Sequence, residues 1–440
     1  MLASPPPLEK RAATARTKSV TGGASRTVRV GFIPLVDVGV LVAAHEVGFA
    51  GREGLSLELI KEVSWANVRD RLAFHQFDVA HMLAPMPVAA QLRLGSNPSP
   101  TFTPFALSKG GNAITLSIGL YRAMQAIAGL DGGEDALSNA RALKQVVDQR
   151  GRDGERPLVF GMTYPFSSHN YEFRYWLAAG GIHPDRDVTM TVVPPPFSAD
   201  ALASGAIDGF CVNAPWNMLA VARGVGRVVA VKADIWPSSP EKVLGVRPDW
   251  ADNNAETLAR LLVALDRAAE WCDDRGNRRE LATMLSPYVD APEDLVRDLL
   301  LDRYLVDPDG RVRAIPDYLT FHRGAANFPW ISEARWTFGQ MVRWGQARYS
   351  PADERAAASA CRPDLYRAAL GGRQRPIPSV DLKPEGIGNA ISLPTEGRGP
   401  LSLPASPFID GMTFNPPGIA DHVAAFAIRS DFGRGFTDDF

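Results

Sequence analysis

One phrase is written twice in this chain. Phe77-Asp78-Val79-Ala80-His81-Met82-Leu83-Ala84-Pro85 returns as Ile207-Asp208-Gly209-Phe210-Cys211-Val212-Asn213-Ala214-Pro215, at an offset of 208 − 78 = 130 residues. The same offset lays Val30-Gly31-Phe32 over Phe160-Gly161-Met162. In each copy a turn-forming Asp introduces a short apolar run that stops at Ala-Pro and yields to an apolar helical pattern. That is a strand, a loop and a helix N-terminus, so each copy aims backbone N–H groups at the loop beyond a strand end. A chain built this way is confined to two lobes of one α/β design; the matched order of the elements around each copy argues against a chance likeness.

Around each copy the periodicities agree. Thr27 to Pro34 reads as a buried strand and Val38 to Phe49 as a helix, followed by a second strand over Leu55–Lys61. Ser64 is a good N-cap for a helix starting at Trp65. Thr101 to Phe105 and Ala113 to Ile118 read as further strands around Gly110-Gly111. The second lobe repeats the order: strand Leu158 to Met162, helix His169 to Ala179, strand Val188 to Val193, and a return crossing near Trp236 to Val246. The implied organisation is a disordered arm at 1–27, lobe I at 28–150, lobe II at 151–235, a return to lobe I with a helical buttress at 236–370, and an extended wrap at 371–440. The Pro- and Gly-rich wrap would be pinned by Phe408, Met412 and Phe414.

Composition excludes several classes. The 440 residues are 45% hydrophobic and carry a formal charge of −2, so there is no basic footprint for nucleic acid. Cys211, Cys272 and Cys361 lack metal or disulfide spacing and read as free thiols in a reducing compartment. Lys10, Arg11, Arg16, Lys18 and Arg26 stand in the arm against Glu9 alone, with no apolar export segment before Val28, and no run is long enough to span a bilayer. A cytoplasmic location is the expectation. GxSxG, Walker, HExxH and GxGxxG signatures are absent, which argues against an enzyme.

Five polar groups stand at the loop ends that face a cleft between two such lobes: Trp65, Asn112, His169, Asn213 and Lys242. The set offers a compact positive charge and directional indole, imidazole and amide groups, with no carboxylate among them, which suits a small anion. Each also has a plain structural reading: Trp65 as core packing, His169 as a satisfied buried group, Asn112 as a turn residue, Lys242 as a surface charge. His81 reads as core.

Several stretches resemble the nitrate- and bicarbonate-binding receptors of ABC importers: Ser64-Trp65-Ala66-Asn67-Val68-Arg69-Asp70, Arg174-Tyr175-Trp176-Leu177-Ala178-Ala179-Gly180-Gly181, Val192-Val193-Pro194-Pro195-Pro196, Asn213-Ala214-Pro215-Trp216-Asn217 and Pro240-Glu241-Lys242. The resemblance implies the type II periplasmic-binding-protein fold, two α/β lobes closing on an oxyanion held by Trp65, His169 and Lys242. The family's Gln falls on Asn112 and its Gly on Asn213, two departures that alter the pocket's size. The bicarbonate branch carries an acidic residue linked to calcium at the lysine position, so Lys242 implies nitrate or nitrite and no metal or other cofactor. With no export segment recognised, the chain is most similar to cytoplasmic nitrate/nitrite sensors of the NasS type, which release an antiterminator partner on binding the anion. An importer receptor and an enzyme like the thiamine-precursor synthases are the other readings of the same scaffold.

Overall fold

The computed structural model describes residues 25–372, 375–397 and 399–430. The expected disordered arm lies outside the described residues up to position 24, and its last two residues, Arg26 and Thr27, already belong to the first strand.

The chain lays down β1 (Arg26–Phe32), β2 (Leu55–Lys61), β3 (Val79–Leu83) and β4 (Ala106–Gly110), then crosses into β5 (Asn112–Ser117), β6 (Val159–Met162), β7 (Thr189–Val192), β8 (Gly209–Asn213) and β9 (Gly226–Val231). It returns through β10 (Pro240–Val246), makes a small hairpin of β11 (Arg303–Leu305) and β12 (Val312–Ala314), adds β13 (Leu319–Thr320), and ends with the hairpin β14 (Ile391–Leu393) and β15 (Leu401–Leu403). Beside the two hairpins, the described residues form two larger sheets, ordered β13-β4-β10-β3-β1-β2 and β7-β6-β8-β5-β9.

The doubled phrase is doubled in space. β1 and β3 pair in parallel at Val30 with Val79 and Gly31 with Ala80; β6 and β8 pair in parallel at Phe160 with Gly209 and Gly161 with Phe210, each partner 130 residues on (160 − 30 and 209 − 79). The leading Asp has the same task in both. Asp78 donates its N–H to the Arg29 carbonyl at 2.9 Å and accepts the Arg29 N–H on its carboxylate at 2.8 Å; Asp208 does the same with Val159 at 2.7 and 2.8 Å. The carboxylate satisfies a strand donor that no neighbouring strand reaches, which is why an Asp heads each copy.

The crossing between sheets comes earlier than the sequence reading put it. β5, assigned there to the first lobe within 28–150, hydrogen-bonds along β8 and β9 of the second sheet. The turn is Gly110-Gly111, with φ of +79° and +93°, and a Cβ on either residue would collide with the Tyr318 carbonyl or the Asn213 amide. Only glycine fits there. The strand expected over Thr101–Phe105 is displaced to β4, leaving isolated bridges at Phe102 and Thr103, because Pro104 interrupts the ladder.

Among the described residues, three apolar clusters organise the interior. The first joins the β1–β3 face to the helices Gly39–Glu46, Ala255–Asp273 and Arg278–Val289. The helix Ile331–Arg343 packs on the first lobe's helix Pro85–Gln91, as the buttress reading expects, and also adds Trp336, Phe338 and Met341 to a cluster that holds Tyr175 and Trp236 of the second lobe. Trp236 and Trp336 lie 4.6 Å apart, and Phe408 sits 5.0 Å from Trp236. That contact, with Phe414 buried and Met412 half-buried in the same cluster, pins the wrap as the sequence suggests. The third cluster lies at the seam: Ile33, Trp65 and Met82 from one lobe meet Tyr164, Phe210 and Trp216 from the other.

Candidate functional site

The strand ends of both sheets deliver polar side chains to this seam. Ser64 caps the helix Trp65–Ala73 by accepting the Asn67 N–H, which fixes Trp65 at the first helical position. Trp65 is fully buried, and its indole Nε1 has no hydrogen-bond partner among the described residues. Lys242 Nζ stands 5.5 Å from the centre of the Trp65 ring. His169 occupies the second position of the helix Ser168–Ala179, whose N-cap Ser167 accepts the Asn170 N–H. Thr163 Oγ1 lies 3.0 Å from His169 Nδ1, so a neutral ring accepting there carries its proton on Nε2. Burial holds the His169 ring at a pKa of about 3, and it is therefore a neutral donor at physiological pH.

Trp65, His169 and Lys242 thus share one neighbourhood. The link between the last two is a single atom: Glu241 Oε1 lies 2.7 Å from Lys242 Nζ and 3.5 Å from His169 Nε2. Asn112 and Asn213 face each other across β5 and β8, and the Asn213 amide donates to Asn112 Oδ1 at 3.0 Å. Asn112 Nδ2 in turn donates to Glu172 Oε2 at 2.8 Å and Glu241 Oε2 at 2.7 Å. All five expected residues converge, but Asn112 is engaged on both sides of its amide. Asn213 keeps a buried carbonyl oxygen without a partner among the described residues.

The expectation of a cluster free of carboxylates is overturned. Asp37, Glu172 and Glu241 are all buried in it, together with a second ammonium, Lys232. Lys232 contacts Glu172 Oε1 at 2.6 Å and also pairs with Glu241; Lys242 lies 2.7 Å from Asp37 Oδ2; His81, read as plain core, has Nε2 3.0 Å from Asp37 Oδ1. Adjacent residues of a regular strand point to opposite faces, which hides Glu241 from a periodicity argument. The register of β10 against β4 slips on either side of Lys242, and the irregularity lets both side chains enter the seam. Glu172 follows His169 by three residues on one helix, a spacing that places the two on one face and was available to be read. Asp37 comes from the short turn Val36–Val38 after β1, for which the sequence offers no signal.

The acids are not equivalent. For Glu241, burial pushes upward, but Lys232 and Lys242 outweigh it and hold the carboxyl well below its usual range. Burial dominates at Glu172, opposed by Lys232 and reinforced by the Glu241 charge, and carries it up to about 7. Burial also raises Asp37, yet Lys242 and His81 bring it below the ordinary value. The seam is then a nearly neutral set of two ammoniums and two carboxylates, with a third carboxyl poised near neutrality and neutral donors at its edge.

Relatives share this architecture. A model of the NMT1-like family matches residues 22–286. A nitrate import ATP-binding protein, NrtC, of Synechocystis is 34% identical over 91% of this chain, which spans 55% of that protein's length; the chain covers about half of several such relatives. The nitrate/nitrite binding protein NrtA of Synechococcus elongatus is 31% identical over 88% of this chain and 83% of its own. The crystal structure of the periplasmic nitrate-binding protein NrtA from Synechocystis superposes with a TM-score of 0.79 at 27% identity, covering 91% of this chain and 98% of that one. With its two sheets meeting at a polar seam, the chain has the periplasmic-binding-protein fold and belongs to the NMT1-like family.

Proposed function

We propose that the protein is a solute-binding protein for a small monovalent oxyanion, nitrate or nitrite, serving an importer of the ABC type. The observation that carries this reading is the convergence of the Trp65 indole N–H, the His169 imidazole and the Lys242 ammonium at one buried seam. A planar anion presents several acceptor oxygens, and three donors from three directions match it better than they match an apolar or cationic solute. Relatives named as nitrate/nitrite binding proteins support the ligand class, and those named as import components support the importer setting. The sensor with an antiterminator partner, expected from the sequence, draws no support from these relatives, so the receptor reading is preferred. Lys242 favours nitrate or nitrite over bicarbonate, following the resemblance described above.

The anion would act by a population shift. Its donors come from both lobes, so it stabilises the closed form by its differential affinity for that form. Calorimetric titration of the purified protein with nitrate, nitrite and bicarbonate, with and without calcium, tests the assignment. Saturable heat is expected for the first two alone, and a calcium-dependent bicarbonate signal would overturn it.

A further inference from the structure

We propose that the protein takes up one proton with each anion and holds it on the Glu172 carboxyl, so that the bound species is in effect the anion plus a proton. This rests on the oxyanion reading above and adds a second ligand to the same seam. The geometry is a charge count. Glu172 and Glu241 share two donors, Asn112 Nδ2 at 2.8 and 2.7 Å and the Lys232 ammonium, while Lys242 contacts Glu241 and not Glu172, so Glu172 has only a shared cation. Among the described residues, Glu172 faces Lys232 from the helix Lys232–Ile235, Glu241 from β10, Asn112 from β5 and Cys211 from β8; His169 precedes it by one turn on its own helix, and Lys242, Asp37 and His81 lie beyond Glu241. Three carboxylates meet two ammoniums, all shielded from solvent.

A monovalent anion placed against His169 Nε2 and Lys242 Nζ arrives beside Glu241 Oε1, the atom those two groups already contact. Adding that charge to an enclosed seam of balanced or net negative charge is unfavourable unless a proton enters with it. Of the three acids, Glu172 is the one that yields. Asp37 has Lys242 and His81, Glu241 has both lysines, and Glu172 has Lys232 alone among cations in contact. The balance is simple: one anion and one solvent proton go in, an O–H bond forms on Glu172, and the net charge of the seam is unchanged. Its carboxyl titrates near neutrality without ligand, at about 7, so the uptake falls within the accessible pH range.

The direction follows from linkage. Below the ligand-free pKa the proton is already present and binding takes up little; above it, each anion brings in about one proton, and the dissociation constant rises about tenfold per pH unit. Nitrate titrations of the full chain in buffers of different ionisation enthalpy at about pH 6 and about pH 8.5 read the proton count directly. The expected result is an uptake that grows from a small fraction to nearly one. Glu172→Gln, a neutral isostere of the protonated acid, is expected to hold the dissociation constant within about threefold between those pH values. Nitrate heat that is independent of buffer at both pH values would overturn the proposal, as would a Glu172→Gln protein that keeps the full pH slope. Absence of nitrate binding at any pH would instead refute the oxyanion reading. If the variant does not fold, the buffer series on the parent protein still decides proton uptake.

Discussion

Lys242→Met separates what the lysine does for the fold from what it does for a ligand. The substitution keeps most of the stem and removes the ammonium. Lys242 is fully buried, 2.7 Å from Asp37 Oδ2 and 2.7 Å from Glu241 Oε1. Glu241 retains Lys232 and Asn112, whereas Asp37 is left with His81. Removing one member of a buried charge pair costs about 3–5 kcal/mol, and here most of it falls on Asp37. Burial alone raises the Asp37 carboxyl; the Lys242 charge and then His81 outweigh that and depress it below 3.8. A depressed carboxyl contributes stability that is present above its unfolded pKa and lost as pH falls through the folded one. Lys242→Met forfeits that contribution, so its deficit should be largest near pH 7 and shrink toward about pH 4, where the freed carboxyl protonates. Urea unfolding followed by tryptophan fluorescence at the two pH values measures it. Adding Asp37→Asn should recover more than half of the loss, about 2–3 kcal/mol, without restoring anion binding. A Lys242→Met protein as stable as its parent at neutral pH, or one that Asp37→Asn does not rescue, would refute the buried-pair reasoning.

Three further substitutions probe the seam and the crossing between the sheets. The Arg69 guanidinium donates to Tyr164 Oη at 2.9 Å across the seam; Tyr164→Phe should weaken nitrate binding about three- to tenfold with an unchanged unfolding midpoint, and small-angle scattering should show a wider ligand-free ensemble. Gly111→Ala, at φ +93° with its new Cβ driven into the Asn213 amide, should destabilise by about 1–3 kcal/mol, while Gly119→Ala in the open helical site of Ile118–Ala128 should be neutral or mildly stabilising by thermal melting.

The parts of this molecule that sequence makes readable are those governed by local rules. Strands headed by Asp78 and Asp208, the Ser64 cap and the helix at Trp65 follow from composition, turn chemistry and periodicity, and the repeat seen in the sequence recurs in space as the parallel pairs β1 with β3 and β6 with β8. The crossing at Gly110-Gly111 was misplaced because β5 has the same apolar character as the first-lobe strands. What assigns it to the second sheet is its ladder with β8 and β9, a long-range fact. The carboxylates were missed for related reasons. Glu241 enters the seam through an irregularity in β10, and Asp37 through a short turn whose direction no pattern encodes. His81 looked like core and is core, yet it is also the partner of Asp37.

Those missed acids change how the seam must select. A pocket of free positive charge attracts every anion in proportion to its charge, and divalent oxyanions would then win. Here the Lys232 and Lys242 charges are already matched by Glu241 and Asp37, so net attraction is small and discrimination falls to directional donors, the Trp65 indole and the neutral His169 ring. A monovalent anion asks the seam for one compensating proton, which Glu172 can hold; a dianion asks for two, and the second would have to come from Glu241 or Asp37, both held well ionised by their lysines. Selectivity for a single negative charge therefore resides in how unevenly the lysines are shared among three acids.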